Sequence, residues 1–307
     1  MEKQLKYFYR FNVANLVYSL VVIGWGVLVR ASSSGAGCGA HWPLCNGEII
    51  PTGARIQTLI EFAHRSSSGI SLILVAIGLF WSRQIAVKGS PIRKAAGLTA
   101  IAIVLEALLG AGLVLLRLVE FDQSALRAFS ISLHLINTLF LLGSIATLAF
   151  LSRHRTFYEK REFNLFPREP LFVVALAAFI TLGVSGAITA LGDTLFPATS
   201  LANGMQQDFA TGAHFLIKLR VIHPVLATAW IVLVFLWSKR LETLELKNIR
   251  SLLLLAVICQ FFLGVINWLL MAPTAMQILH LEVADGVFLS LWISGLAYET
   301  RESRLSA

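Results

Sequence analysis

Eight apolar segments of about 20 residues or more constrain the fold of this chain more than any other feature of its sequence. They lie near 11–31, 57–82, 94–116, 124–151, 169–191, 214–238, 248–271 and 276–298. A helix of that length crosses the hydrocarbon core of a bilayer with all its backbone hydrogen bonds satisfied. The chain is 57% hydrophobic and 14% charged, whereas soluble domains average about 25% charged residues. The sequence therefore predicts an all-α membrane protein with eight transmembrane helices.

The basic residues are clustered between alternate segments. The clusters are Lys3, Lys6 and Arg10; Arg83, Lys88, Arg93 and Lys94; Arg153, Arg155, Lys160, Arg161 and Arg168; Lys239, Arg240, Lys247 and Arg250; and Arg301 and Arg304. Eight helices place all five clusters on one side of the bilayer, and the positive-inside rule makes that side cytoplasmic. We therefore expect a multi-pass plasma-membrane protein with both termini in the cytoplasm. The net charge of +8 follows from this topology and does not indicate nucleic-acid binding.

The two halves of the chain resemble each other. The third and seventh segments carry Glu106-x-x-Leu-Gly and Gln260-x-x-Leu-Gly, and the fourth and eighth each carry Leu-His-Leu. Each half contains four segments and starts on the same side. The halves are therefore predicted to be parallel four-helix repeats, related by an axis near the membrane normal. We place them at 1–160 and 161–307.

Four of the seven histidines lie inside apolar segments, two in each half: His64, His134, His223 and His280. Ionisable residues are costly in a membrane and mark cofactors or proton paths. Counted from the predicted outer helix ends, all four lie about 10–15 Å deep. Two facing imidazoles per half suit heme better than zinc or copper, because no intramembrane cysteine pair accompanies them. The alternative for any single histidine is a buried ring bonded to a neighbouring carbonyl.

The first half carries a carboxylate that the second half lacks. Glu61 lies three residues before His64, on the same helix face, and the corresponding residue before His223 is Arg220. Glu61 could receive a proton from chemistry at a porphyrin edge, or hydrogen-bond a ligand or a loop. Arg65 could pair with a heme propionate or be an ordinary interface arginine. We predict a reactive site in the first half and an electron-transfer or structural heme in the second.

The loop after the first segment contains Cys38 and Cys45, on the face predicted to be oxidising. A disulfide can form there. It would serve as a structural staple or, because thiols and disulfides exchange, as a redox-active pair. Cys259 lies alone in the seventh segment, where we expect packing rather than chemistry.

These residues together resemble the heme A synthase family. The resemblance rests on the loop SGAGCGAHWPLCNG from Ser34 to Gly47, the ExxHR string from Glu61 to Arg65, and one histidine in each even-numbered segment. It covers the whole chain. It implies an oxidoreductase acting on a CH group, which converts the C8 methyl of heme O to the formyl group of heme A for cytochrome oxidase assembly. We expect a hydroxymethyl intermediate.

The resemblance also implies a division of roles. His64 and His134 would hold the substrate heme O with Glu61 near its reacting edge, whereas His223 and His280 would hold heme b. The expected partners are heme O synthase, from which heme O could be handed over, an unidentified electron acceptor and the lipid bilayer. A homo-oligomer is left open.

Two features depart from the family pattern. Some relatives carry a second cysteine pair, but residues 192–213 contain none. Some relatives also have arginine after the sixth-segment histidine, where this chain has Pro224. The candidates for the propionate partner of heme b are therefore Arg220, Lys218 and Arg127.

Two other classes of protein compete with an enzyme. A di-heme protein that transfers electrons across the membrane would place one heme near each face, whereas all four histidines favour the outer half. A heme carrier would need no reactive carboxylate, and Glu61 argues against it.

Overall fold

The structure is a computed structural model that describes residues 2–52, 55–159 and 163–305. In chain order its helices are α1 (Glu2–Ala31), α2 (Ile56–Ile85), α3 (Pro91–Leu115), α4 (Ala125–Ser152), α5 (Thr156–Glu159), α6 (Pro170–Leu195), α7 (Leu201–Phe209), α8 (Phe215–Lys218), α9 (Ile222–Thr243), α10 (Lys247–Leu269) and α11 (Thr274–Leu305). A 3-10 turn at Leu219–Val221 joins α8 to α9. Eight spans in the described ranges are long and apolar enough to cross a membrane: α1 to α4, α6, α8 together with α9, α10 and α11. The predicted all-α membrane fold is confirmed.

Local sequence explains where several spans begin. Ser90 and Ser124 cap α3 and α4, because each side-chain oxygen accepts a hydrogen bond from the main-chain N–H three residues later. Pro91 and Pro170 stand at the first positions of α3 and α6, where the missing N–H costs nothing. The 3-10 turn precedes Pro224, which cannot donate the usual helical hydrogen bond to Arg220.

The spans form two rings of four helices. In the first ring α1, α2, α3 and α4 pack in order and α4 returns to α1; in the second, α6, α9, α10 and α11 do the same. The rings meet through α1, α4, α6 and α11. The repeat relationship and the boundary between 160 and 161 stay predictions, since 160–162 lie outside the described residues. Lys160 and Arg161 of the third basic cluster lie there too.

Buried tryptophans join helices both between the rings and within the second ring. Trp292 of α11 donates from Nε1 to Thr147 Oγ1 of α4 at 2.8 Å, across the interface between the rings. Trp237 of α9 donates to Ser294 Oγ of α11, also at 2.8 Å. A buried indole N–H has no water to bond in a bilayer, so these polar partners fix how the helices rotate about their axes.

Arg30, at the end of α1, ties the two rings together near the loops 32–55 and 196–213. Its guanidinium donates to the carbonyl of Ala190 and to Thr194 Oγ1 on α6, each at 2.8 Å. It also donates to Gln277 Oε1 on α11 at 2.7 Å. These loops lie at the end of the bundle opposite the basic clusters of the described residues, because successive spans run in alternate directions.

Candidate functional site

The four intramembrane histidines lie at similar depths in the bundle. Each lies six to nine residues after the first residue of its helical span, which is about 9–14 Å along the axis. All four spans begin at the end that carries loops 32–55 and 196–213. The structure therefore brings the histidines into one layer near that end.

Each of these histidines faces a glycine on the preceding span. The four pairs are Gly26–His64, Gly110–His134, Gly186–His223 and Gly264–His280. A Cβ atom on Gly186 would lie 2.9 Å from Cε1 of its histidine, and one on Gly26 or Gly264 would lie 3.2 Å away. The missing side chains let a helix backbone approach an imidazole ring closely at Gly26, Gly186 and Gly264, whereas a Cβ on Gly110 would make only an ordinary contact, at 3.9 Å.

The second-ring histidines meet across the interior of their ring. The centroids of the His223 and His280 rings are 6.5 Å apart, and the ring planes are at 84° to each other. Imidazole nitrogens bind metals at about 2 Å, so two rings on opposite sides of one metal ion have centroids about 6 Å apart. Ser185 Oγ lies 3.1 Å from His223 Nδ1. The geometry fits two axial imidazole ligands, the set expected for heme.

The first-ring histidines lie at similar depths on α2 and α4. Nδ1 of His64 and Nδ1 of His134 are both buried without a hydrogen-bond partner among the described residues. His134 Nδ1 lies 3.2 Å from Glu106 Oε1 on α3, in an ion-pair contact. A buried imidazole nitrogen without a partner is costly, and two such histidines at one depth of the same four-helix ring fit a site for a ligand.

Glu61 is buried, with 3% of its side chain exposed, and its two oxygens have different partners. Oε2 accepts a hydrogen bond from the main-chain N–H of Cys38 at 2.7 Å. Oε1 accepts from Arg65 Nη2 at 2.5 Å and from Nε at 3.1 Å. The carboxylate therefore contacts the loop, as one of the two sequence interpretations proposed, while it occupies the helix turn next to His64.

Arg65 connects this carboxylate to the cysteine loop. Its Nη1 donates to the carbonyls of His41 and Leu44, at 2.6 and 2.8 Å. Cys38 and Cys45 form a disulfide within the same loop. The loop is thus held against the first turns of α2 by the hydrogen bonds of Glu61 and Arg65 to its main chain, and the disulfide closes the loop on itself.

Arg220 plays a matching part in the second ring, although it contacts different groups. It is buried, and Nη2 donates to the carbonyls of Gly192 and Phe196 at 2.6 and 2.8 Å. Nε lies 3.1 Å from Asp193 Oδ1, and Nη1 lies 3.7 Å from Asp208 Oδ1. Burial raises the pKa of Asp208 above its ordinary value, and the charge of Arg220 opposes that rise. Arg220 therefore fastens residues 192–209 above the second ring.

The other two propionate candidates also bond to local loops. Arg127 is buried and donates from Nη1 to the carbonyls of Glu120 and Asp122, both at 2.7 Å. Lys218 Nζ donates to the carbonyl of Thr211 at 3.1 Å. Of the three candidates, only Arg220 contacts acidic side chains of the loop above the second ring.

Glu106, Ser185 and Arg30, which the structure places at or beside the sites, are not among the site residues predicted from the sequence. In the sequence, the matched pair of Glu106 and Gln260 indicates only duplication. Both positions lie one helical turn before a glycine that faces a histidine, and that spacing was a signal for a contact with the ring. Ser185 and Arg30 had no comparable signal.

Fold and site together define a multi-pass membrane protein with one pair of buried histidines at similar depth in each of two four-helix rings. A sequence model of the COX15-CtaA family, described as cytochrome oxidase assembly protein, matches residues 9–292. The chain belongs to this family.

Individual relatives support the same assignment. Heme A synthase of Staphylococcus saprophyticus is 30% identical over 307 residues, which cover 93% of this chain and 92% of that protein. Protoheme IX farnesyltransferase of Thermus thermophilus is 39% identical over 278 residues, 89% of this chain. The match covers only 45% of the length of that Thermus protein. Heme A synthase of Halalkalibacterium halodurans is 40% identical over 152 residues, 48% of this chain and 47% of that protein.

Proposed function

We propose that this protein is a heme A synthase, which oxidises the C8 methyl of heme O to a formyl group for cytochrome oxidase assembly. Membership of the COX15-CtaA family and likeness over 93% of the chain to a protein named heme A synthase support the proposal. The observation that carries it is the asymmetry between the rings. A buried carboxylate, Glu61, lies one helical turn from His64, and the corresponding position of the second ring holds Arg220.

This asymmetry supports separate roles for the two halves. In the first half, residues 1–160, His64 and His134 hold the substrate heme O. In the second half, residues 161–307, His223 and His280 hold a resident heme b. A heme in that half supplies one-electron redox chemistry.

Conversion of methyl to formyl is a four-electron oxidation, which we propose to pass through a hydroxymethyl group. Two electrons leave with each oxidation of the C8 carbon, and a gem-diol then loses water to give the formyl group. If water supplies the oxygen, the four electrons pass to an acceptor outside this chain. If dioxygen supplies it, dioxygen is itself the oxidant, and each step takes two further electrons from a donor and releases water. Glu61 accepts a proton or stabilises positive charge that develops at the C8 carbon. A carboxylate already held in place by Cys38 and Arg65 needs little reorganisation for that role.

The remaining site residues bind and orient. Arg65 holds Glu61 in position. Its guanidinium already bonds to Glu61, His41 and Leu44, so a propionate would replace one of these partners to form paired hydrogen bonds with it. Arg220 has the same role in the second half. Cys38 and Cys45 staple the loop that covers the first site.

The substrate and partners follow from the same reaction. Heme O carries a farnesyl chain, so entry from the bilayer or handover from heme O synthase suits it. The Thermus relative, named protoheme IX farnesyltransferase, contains a region like this chain within a protein of more than twice the matched length, which supports that handover. We place the reaction in the plasma membrane, with both hemes in the outer half.

The test is mass spectrometry of hemes extracted from the protein, co-expressed with a heme O synthase in a host that makes no heme A. Heme A or its hydroxymethyl precursor is expected from the wild type, and neither from Glu61→Gln. Glu48→Gln is the matched control, because Glu48 is an exposed carboxylate in the loop that Glu61 contacts and its loss should leave product formation unchanged. Only heme B and heme O in the wild type would contradict the proposal and favour a carrier or an electron-transfer protein. Full turnover by Glu61→Gln at normal heme content would remove Glu61 from the reaction.

A further inference from the structure

Two matched positions give the two histidine pairs different partners. Glu106 on α3 and Gln260 on α10 each lie four residues before the glycine that faces a histidine. Glu106 Oε1 lies 3.2 Å from His134 Nδ1, and Gln260 Nε2 lies 3.3 Å from His280 Nδ1. The same place beside the ring is thus taken by an acid in the first half and by an amide in the second.

The carboxylate of Glu106 is fixed by donors from the helix that carries His134. Asn137 Nδ2 donates to Oε2 at 2.6 Å, and Thr138 Oγ1 donates to Oε1 at 2.5 Å. Asn137 is itself tied to α3 by a second hydrogen bond, to the carbonyl of Ala102 at 3.0 Å. The contact between Glu106 Oε1 and His134 Nδ1, at 3.2 Å, falls outside hydrogen-bond geometry. An ionised carboxylate is an acceptor only, so at this distance it favours the form of His134 that carries its proton on Nδ1. That form leaves the lone pair of Nε2 for a metal.

Among the described residues no donor bonds to the side-chain oxygen of Gln260, and the amide carries no charge. Its amide Nε2 is 3.3 Å from both nitrogens of the His280 ring, and its Oε1 is buried without a hydrogen-bond partner among the described residues. Whichever amide atom faces the ring, the group is neutral. His280 therefore has a weaker electrostatic partner than His134.

We infer that Glu106 is a positioning residue that makes His134 the more electron-donating ligand and gives the first-half heme a lower reduction potential than the second-half heme. This inference rests on the proposed function, since it takes both histidine pairs to hold heme. A carboxylate bonded to the far nitrogen of a metal-bound imidazole raises its basicity, and a more basic ligand stabilises ferric over ferrous iron. The resulting order of potentials favours electron transfer from the substrate half to the second half.

The test exchanges the two side chains in the full-length protein loaded with heme B. Glu106→Gln should raise the lower of the two midpoint potentials, and Gln260→Glu should lower the higher one. Loss of a side chain that bonds to a metal ligand typically changes metal affinity by about tenfold or more. We expect a tenfold change in the preference for ferric over ferrous heme, which equals about 59 mV for one electron. His64→Ala and His280→Ala assign each potential to its half, and ferric electron paramagnetic resonance gives a second readout of ligand strength.

The outcomes separate this inference from the proposed function. Two bound hemes whose potentials and resonance spectra are unchanged by both exchanges would overturn the inference and leave the proposed function standing. Heme binding that does not depend on His64 or His280 would instead overturn the proposed sites. If Glu106→Gln loses the first-half heme, Glu106→Asp should restore it at the lower potential, and the shift in Gln260→Glu should still be seen. Absence of both effects would contradict the inference.

Discussion

The main-chain N–H of Cys38 donates a 2.7 Å hydrogen bond to Oε2 of Glu61. A residue of the disulfide and the carboxylate next to His64 therefore hold each other in place. Thr58 Oγ1 adds a 2.7 Å hydrogen bond to the carbonyl of Gly37 in the same contact. A Cβ on Gly37 would lie 2.5 Å from a main-chain oxygen of α2, so only glycine allows the loop to come this close.

Removal of the disulfide should loosen this contact. Cys38 and Cys45 are separated by seven residues, and a loop of that size is worth about 2 kcal/mol of unfolding free energy in the chain-entropy treatment. The double variant Cys38→Ser/Cys45→Ser should melt at a lower temperature in detergent, with faster hydrogen exchange in residues 34–47. Cys259→Ser is the control, because this exposed cysteine lies on α10. Equal exchange rates in the double variant and the wild type would show that the loop is held without the disulfide.

Alanine in place of a glycine that faces a histidine should displace the imidazole ring. The displacement should be largest where the added Cβ would lie closest to the ring. Gly186→Ala is expected to reduce second-half heme content most, since its Cβ would be 2.9 Å from Cε1 of His223. A loss of about tenfold in heme affinity is the expected scale. Gly110→Ala should bind nearly normally, because the nearest histidine atom would be 3.9 Å away.

The control for this series is Gly97→Ala, on α3, where a Cβ would meet nothing within 4 Å. Heme per protein is measured by the absorbance of the pyridine complex. Equal heme contents for the alanine variants at Gly97 and Gly186 would contradict the close fit between helix and ring.

Loss of Arg220 should release the loop above the second ring. Arg220→Gln leaves two main-chain carbonyls without their donor and Asp193 without its ion-pair partner, and removal of one partner from a buried ion pair costs about 3–5 kcal/mol. Asp208→Asn should cost under about 1 kcal/mol, because its contact with Arg220 is long, at 3.7 Å. Thermal unfolding and proteolysis of residues 196–213 measure both effects. Equal destabilisation by the two variants would show that Arg220 does not anchor this loop through its shorter contacts.

Ionisation of Tyr158 should lower the free energy of unfolding at high pH. Its hydroxyl is buried and donates to the carbonyl of Ser152 at 2.9 Å, and burial raises its pKa to about 12. Because the folded pKa is above the ordinary value of 10.0, the stabilisation is complete below pH 10.0 and is lost as the pH rises towards 12.

Tyr158→Phe should lose about 1 kcal/mol at neutral pH and should no longer lose stability between those pH values. The measurement is the unfolding midpoint as a function of pH. Tyr7→Phe is the control, since the side chain of Tyr7 is 58% exposed. A variant at Tyr158 that keeps the full pH dependence of the wild type would assign the effect to other groups.

The spans were predictable because each is determined by its own residues. Apolar length predicts a membrane helix, and Ser124 predicts the start of α4, since a serine there accepts the first free main-chain N–H. The depths of the four histidines followed from the number of residues between each histidine and the predicted start of its helix. The 3-10 turn before His223 was not predicted, although Pro224 contains the reason for it.

The partners of the site residues could not be predicted in the same way. Glu61 had two interpretations, and its contacts with Cys38 and Arg65 depend on how a 24-residue connection between α1 and α2 folds back over α2. Glu106 meets His134 only because α3 and α4 pack with one particular rotation. Arg30 reaches α6 and α11 from the other half of the chain.

The sequence by itself determined that the chain lies in a bilayer, the number of membrane-spanning helices, the depth of the histidines and the position of the cysteine pair. Each of these depends on composition or on spacing along a single segment. Only the tertiary structure decided which glycine faces which histidine, that Glu106 rather than a neutral group contacts His134, and that Arg220 anchors a loop. Those contacts depend on the rotation and register of neighbouring helices. In a bilayer, close packing and buried hydrogen bonds set that register, and they involve residues far apart in the chain.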